Sequence, residues 1–261
     1  MTTRLTYLGV AGYLIEGPGR KILIDPYLTS SPAAPFGPDA LPTPDVILVS
    51  HAAFDHLGDT ADIARRTGAP VVCGADTRAL LLEQGVPSNQ IRATVWGIVV
   101  EVGGVVVRPV ESHHWSSAKL DSGGTVSGVP LGFIVEPEPD VRVYHFGDSA
   151  IFGDMRLIGE LYRPTVGLLG CTQPKPLLAQ VPGAGRVLTG EMSPAEAALA
   201  AEFLGVQLAV ATHYVDPNDE DVLEFLRLVP ERDTTGTRTA IALDPGQVLV
   251  VDGPNHRVEQ R

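Results

Sequence analysis

Cysteine is nearly absent from this chain: Cys73 and Cys171 stand alone among 261 residues. Two isolated cysteines build neither a disulfide framework nor a cysteine-rich zinc module. Cys73 closes the apolar run Pro70-Val-Val-Cys73, which reads as a buried strand. Basic residues are also scarce. Nineteen Lys and Arg face 31 Asp and Glu, a formal net charge of −12, and no run of Lys or Arg occurs. A nucleic-acid binder usually carries a basic face, and an acidic surface is repelled by anionic membranes, so neither partner is expected. No apolar run approaches the ~20 residues of a membrane span. The first residues, Met-Thr-Thr-Arg-Leu-Thr-Tyr, lack the charged-then-apolar pattern of a secretory leader. The expected setting is cytoplasmic.

What is abundant is turn chemistry and short apolar runs. Glycine (28) and proline (22) follow no period, which predicts many tight turns rather than a fibrous repeat. Strands are predicted at residues 4–8, 13–16 and 21–24. Residues 45–50, Asp-Val-Ile-Leu-Val-Ser, are almost continuously apolar and suit a strand buried on both faces. A helix over 59–68, capped by Asp59 or Thr60, a strand at 70–73 and a helix over 76–84 stopped by Gly85 follow. Residues 94–102 and 105–110 predict a hairpin turned at Gly103-Gly104, and 129–136 with 141–146 a second strand pair. A short helix over 155–162 precedes a strand at 165–169. Ser193-Pro-Ala-Glu196 is a capping box with proline at the first helical position, and Gly205 stops that helix. A strand at 208–212, a helix over 219–228 and a last hairpin of 239–243 with 248–251 complete the pattern. Residues 115–128 and 171–186 read as long loops, a length often reserved for function. The order predicts one α/β domain over residues 1–261, with two sheets inside and helices outside.

The histidines stand at strand ends. His51 follows the run 45–50, with Asp55 and His56 just beyond; His113 and His114 follow 105–110; His213 follows 208–212. Asp148 follows 141–146 after a glycine, and His145 lies inside that strand. Strand ends of one sheet meet at one edge, and imidazole with carboxylate suits borderline divalent ions. A metal site is therefore expected from the residues alone.

His51-x-x-x-Asp55-His56, a distant His, Gly147-Asp148 and His213 together resemble the metallo-β-lactamase superfamily. The finer pattern is similar to its lactonase-like branch of small-molecule hydrolases, the ascorbate-6-phosphate lactonase-like proteins. It includes Lys21-Ile-Leu-Ile-Asp25-Pro26, Tyr144-His-Phe-Gly-Asp148, Met155-Arg-Leu-Ile-Gly-Glu160, Ser193-Pro-Ala-Glu-Ala197 and His213-Tyr214. The resemblance implies a four-layer αβ/βα sandwich with metal at one edge between the sheets. It implies zinc or manganese, one or two ions, held by His51, Asp55, His56, His114, Asp148 and His213. His113 is the alternative register to His114. It further implies a homo-oligomer.

The superfamily motif is His-x-His-x-Asp-His, and Ala53 stands where its second His belongs. A methyl group cannot coordinate. Three readings remain open: one firmly held metal, at Asp55, His56, Asp148 and His213; a weaker first position completed by His113, Glu111 or water; or lost activity. Gly9-Val10-Ala11-Gly12 also departs from the branch, which often has His after the first Gly. The expected reaction is hydrolysis of a small-molecule lactone, ester or activated ether by a metal-bound hydroxide, with Asp55 or Asp148 orienting the water and accepting its proton. Trp115, Thr172 and Glu191 are candidates for substrate contact. His145 is expected in the core or behind a ligand, Cys171 near the site or in an apolar interior, and His256 in a solvated tail. The alternative function is a catalytically impaired or non-catalytic subunit that assembles with itself or with an intact paralogue.

Overall fold

The computed structural model describes residues 2–173, 178, 183–234 and 236–260. Two large sheets face each other. The first runs, in spatial order, β17 (Asn255–Glu259), β16 (Val248–Asp252), β1 (Thr3–Gly9), β2 (Gly12–Gly17), β3 (Arg20–Ile24), β4 (Val46–Leu48), β5 (Val71–Cys73) and β6 (Ile91–Ala93). It is antiparallel as far as β3 and parallel from β3 to β6. The second runs β15 (Thr239–Ile241), β14 (Leu208–Thr212), β13 (Val166–Gly170), β12 (Val141–His145), β11 (Leu131–Glu138), β8 (Val105–Glu111) and β7 (Val100–Val102). Its β12–β15 half is parallel.

Strand geometry sends alternate side chains to opposite faces, and here both faces are covered. In β2, Tyr13 and Ile15 join the core between the sheets, while Leu14 joins the outer one. In β3, Ile22 and Ile24 point inward and Leu23 outward; in β4, Val46 and Leu48 oppose Ile47. This explains why these strands read as continuous apolar runs. Helices α2 (Thr60–Thr67) and α3 (Ala75–Glu83) cover the first sheet through Ile63, Ala64 and Leu81. Helices α4 (Met155–Tyr162), α5 (Pro194–Leu204) and α6 (Glu220–Glu231) cover the second. The result is the four-layer αβ/βα sandwich. Among the described residues, no helix is long and apolar enough to cross a membrane.

Several local expectations hold. Ser193 caps α5 in a reciprocal capping box with Glu196, and Gly205 ends that helix in the left-handed region. Cys73 is fully buried in β5. Others need correction. Asp59 sits at the cap position of α2 but makes no cap bond. Its carboxylate instead accepts from the Leu28 and Thr29 amides and the Thr29 hydroxyl, tying down the loop after β3. Residues 94–102 are not one strand: 94–99 form a crossing, with β6 in the first sheet and β7 in the second. The last two predicted strands, β15 and β16, are not a hairpin either. They pair with β14 and β1 in different sheets, and β16 forms its hairpin with β17. Tertiary partners outweigh sequence adjacency at both places. His256, expected in a solvated tail, is exposed but lies in β17. The predicted loop 115–128 contains a ribbon, β9 (Ser116–Lys119) with β10 (Thr125–Gly128), whose Ser116 hydroxyl bonds Asp76 of α3. Of the loop 171–186, residues 174–177 and 179–182 lie outside the described residues.

Candidate metal centre

The ends of β4, β8, β12 and β14 meet at one edge between the sheets. Below them the sheets are stitched together: the His213 amide donates to the Val10 carbonyl at 2.7 Å, and Val10 bridges Tyr214. Ser50 and His51 leave β4. Helix α1 (Phe54–Leu57) then turns Asp55 and His56 into the interior, with Ala53 at its N-cap. Across the gap, Gly147 makes the sharp turn that presents Asp148. Its φ is +62°, and a Cβ there would lie 2.0 Å from the Leu131 carbonyl oxygen. Val10, Asp25, Asp148 and His213 are also left-handed, four of the six non-glycine residues with positive φ among the described residues. Such strain persists where surrounding structure enforces it, and it clusters at working sites.

Asp148 is the focus. Its Oδ2 lies 3.1 Å from His56 Nε2, 3.4 Å from His213 Nε2 and 4.0 Å from His51 Nε2. Asp55 Oδ2 lies 3.5 Å from His213 Nε2. These groups are buried, yet Asp148 Oδ1 and the Nε2 atoms of His51, His56 and His213 make no hydrogen bond. The nitrogens and oxygens are close but not aimed along each other's bonding directions. Buried polar groups are nearly always paired, and four orphans around one point need a common partner. Ligands about 2.1 Å from a tetrahedral ion stand about 3.4 Å apart, which is the spacing here. The donor set and its geometry fit a divalent cation.

Charge reinforces the arrangement. Burial opposes ionisation of Asp55, but His213 and His56 outweigh it and hold its carboxyl at about 2. Burial likewise works against Asp148, and His213 and His56 more than compensate, keeping it ionised. For His56, burial is overcome by Asp148 and Asp25, and its pKa rises well above the ordinary value. His213 is raised in the same way by Asp148 and Glu191. His51 is buried beside the His56 charge and falls to about 3.

Two supporting carboxylates were not given these roles by the sequence. Asp25, fully buried at the end of β3, accepts from the Ser50 amide and hydroxyl and pairs with His56 Nδ1 at 2.8 Å. It fixes that ring with Nε2 toward Asp148, the arrangement that orients metal-binding imidazoles. An acid directly after Ile22-Leu-Ile was the available signal. Glu191, expected to touch substrate, is instead buried 2.9 Å from His213 Nδ1. Burial and the Asp148 charge raise its pKa to about 7.

The remaining candidates divide. His114 stands beside His51, ring centroids 5.1 Å apart, half-buried. It is outside the tightest groups of convergent donors, which comprise His51, His56 and Asp148; Asp55, His56 and His213; and Asp148, Glu191 and His213. His113 points elsewhere: its Nε2 meets Glu111 at 2.8 Å and its ring stacks on Phe152. Neither His113 nor Glu111 fills the place of the missing imidazole at Ala53. His145 is core; its Nε2 lies 2.8 Å from the Ala11 carbonyl oxygen and its Nδ1 accepts from the Gly147 amide. Cys171 is fully buried. Thr172 donates to the His213 carbonyl and lines the cavity beside Asp55. Trp115 is exposed next to His114 and is not among the described residues lining that cavity.

A family model described as a beta-lactamase superfamily domain matches residues 20–214. The chain belongs to the metallo-β-lactamase superfamily. Among its superfamily relatives, a UPF0173 metal-dependent hydrolase of Rubrobacter xylanophilus is 42% identical over 214 residues, 81% of each chain. Another, from Methanosarcina mazei, is 33% identical and spans 94% of this chain and 97% of its own. The solved structure of Igni18, a metallo hydrolase of the archaeon Ignicoccus hospitalis, matches with a TM-score of 0.75 at 27% identity, covering 97% of this chain and 99% of that one. Like these superfamily members, this chain is a metal-dependent hydrolase.

Proposed function

We propose that the chain hydrolyses a small-molecule lactone, ester or activated ether at a zinc or manganese centre held by Asp55, His56, Asp148 and His213. His51 and His114 flank an adjoining, weaker position that Ala53 leaves without its second imidazole. The observation that carries this reading is the set of buried, unbonded donor atoms around Asp148. A divalent ion bound there lowers the pKa of water toward neutrality and polarises the electrophile.

The protein's own groups do the rest. Asp148 and Asp55 remain ionised, so either carboxylate can orient a water molecule and accept its proton. Asp25 holds the His56 ring, and Glu191 backs His213. Thr172 pins the His213 backbone. The cavity beside Asp55 and His213 holds about 510 Å³, room for a small molecule. Phe54, 62% exposed, lines that cavity where it reaches the surface.

The test is metal content together with hydrolysis of a lactone and ester panel, for this protein and Ala53→His. One firmly held ion per chain with turnover is expected, and the substitution should raise the stoichiometry toward two. A chain that binds no ion, and whose folding ignores chelator, would instead be the non-catalytic subunit.

A further inference from the structure

The candidate metal centre opens into the cavity of about 510 Å³, and the walls of that cavity are chemically uneven. Asp55 and His213 form its inner end. His213 is only 5% exposed, and its Nε2 makes no hydrogen bond. Three aromatic residues, Tyr27, Phe54 and Tyr214, line its flanks, with Tyr27 and Phe54 packed edge to face at 5.7 Å. The outer wall is acidic: Asp216, Asp219, Glu220 and Asp221. Among the described residues, no Lys or Arg lines the cavity.

Helix capping accounts for part of that wall. Asp219 caps α6 by accepting from the Asp221 amide, and Asp221 accepts from the Gln173 amide. Asp216 accepts from the Asn218 amide and side chain. None of the four forms an ion pair with another described residue, and the Glu220 carboxylate has no described partner. A helix N-terminus offers only about half a positive charge, against four carboxylates. Among the described residues the exposed end of the cavity therefore carries an excess of negative charge and is lined by aromatic side chains as well, while Asp55 and His213 of the candidate centre form its buried end.

We propose that this cavity selects substrates carrying an alkylammonium group. The acyl carbon sits by Asp55 and His213, and the cation sits between the aromatic flank and the Asp216–Glu220 wall. Aromatic faces with nearby carboxylates are the usual receptor for alkylated ammonium ions. The inference rests on the hydrolase reading above and narrows its substrate class. In the reaction, water oxygen bonds to the acyl carbon and the acyl–oxygen bond breaks. The proton lost by water goes to the departing alkoxide, leaving a carboxylic acid and an alcohol that keeps its ammonium group.

The experiment uses the metal-loaded full chain and three esters of one acyl length. One ends in trimethylammonium, one in its neutral tert-butyl isostere and one in a sulfonate. We expect kcat/KM for the cationic ester to exceed the neutral one at least about tenfold, with the sulfonate slowest. In the Asp216→Asn, Glu220→Gln double variant the cationic-to-neutral ratio should fall toward one. Equal rates for the cationic and neutral esters, or a ratio that survives the double substitution, would overturn the proposal. Calorimetric titration with butyltrimethylammonium separates the two layers of inference. If it binds the original chain and not the double variant while no ester is cleaved, the cation subsite stands and the ester reading fails. If it does not bind the original chain, the subsite fails whatever the esters do.

Discussion

At the scale of single residues, the site is a set of buried charges balanced against each other. In the metal-free protein, burial would discharge His56 and His213, but their neighbouring carboxylates raise both well above the ordinary value. A raised histidine stabilises the fold fully below its unfolded pKa of about 6.5 and loses that contribution as pH rises through the higher folded value. A metal ion needs the same nitrogens deprotonated. Uptake at neutral pH should therefore release about two protons per ion, measurable by calorimetry in buffers of different ionisation enthalpy. Asp55, held at about 2, behaves oppositely: its contribution is present above the unfolded carboxylate range and is lost as pH falls through the folded value. Asp25 gives a second residue-scale test. Asp25→Asn keeps the shape but removes the charge behind His56, so metal affinity should drop about 10- to 100-fold. Metal retention on dialysis would read this directly.

At the scale of elements, the short connections do more than the strands they join. Gly147→Ala places a methyl group against the Leu131 carbonyl and the Ser50 side chain at a left-handed turn. It should cost at least about 1–3 kcal/mol and move Asp148 off its focus. Denaturant midpoint and metal stoichiometry should fall together. Ser193→Ala is the useful contrast. It removes only the α5 cap, at a cost of about 1 kcal/mol, and should leave the metal bound. Strands β2, β3 and β4 were readable because each carries apolar residues on both faces, and the α5 cap because its chemistry is local; strands β9, β10 and β17 carry no such pattern. The β6–β7 crossing and the split of β15 from β16 were not readable, since each depends on a partner strand distant in sequence.

At the scale of the whole molecule, the candidate centre is a clamp. His51, Asp55 and His56 come from the first sheet's edge, and Asp148 and His213 from the second. An ion shared among them would tie the two sheets at a point where buried charges otherwise face each other. Chelator should therefore lower the melting temperature, with a stabilisation of about 4 kcal/mol restored when free metal reaches a thousand times its Kd. The sandwich itself should survive chelation. Its inter-sheet core of Tyr13, Ile15, Phe133, Val143 and their neighbours is continuous without the ion. Far-ultraviolet circular dichroism before and after chelation checks this.

The sequence by itself determined the fold class, the strand and helix inventory in outline, and the residue types at strand ends from which a metal centre is built. Those depend on hydrophobic periodicity, turn chemistry and local capping, all written within a few residues of each other. Only the tertiary structure decided which strand ends converge. It separated His114 from the outward-turned His113, and revealed Asp25 behind His56 and Glu191 behind His213. It also gave the cavity an acidic, aromatic outer end. Those outcomes rest on burial, left-handed turns and the packing of one sheet on the other. They join residues as far apart as Asp25 and His56, or Val10 and Tyr214, whose nearness has no signature in the chain order.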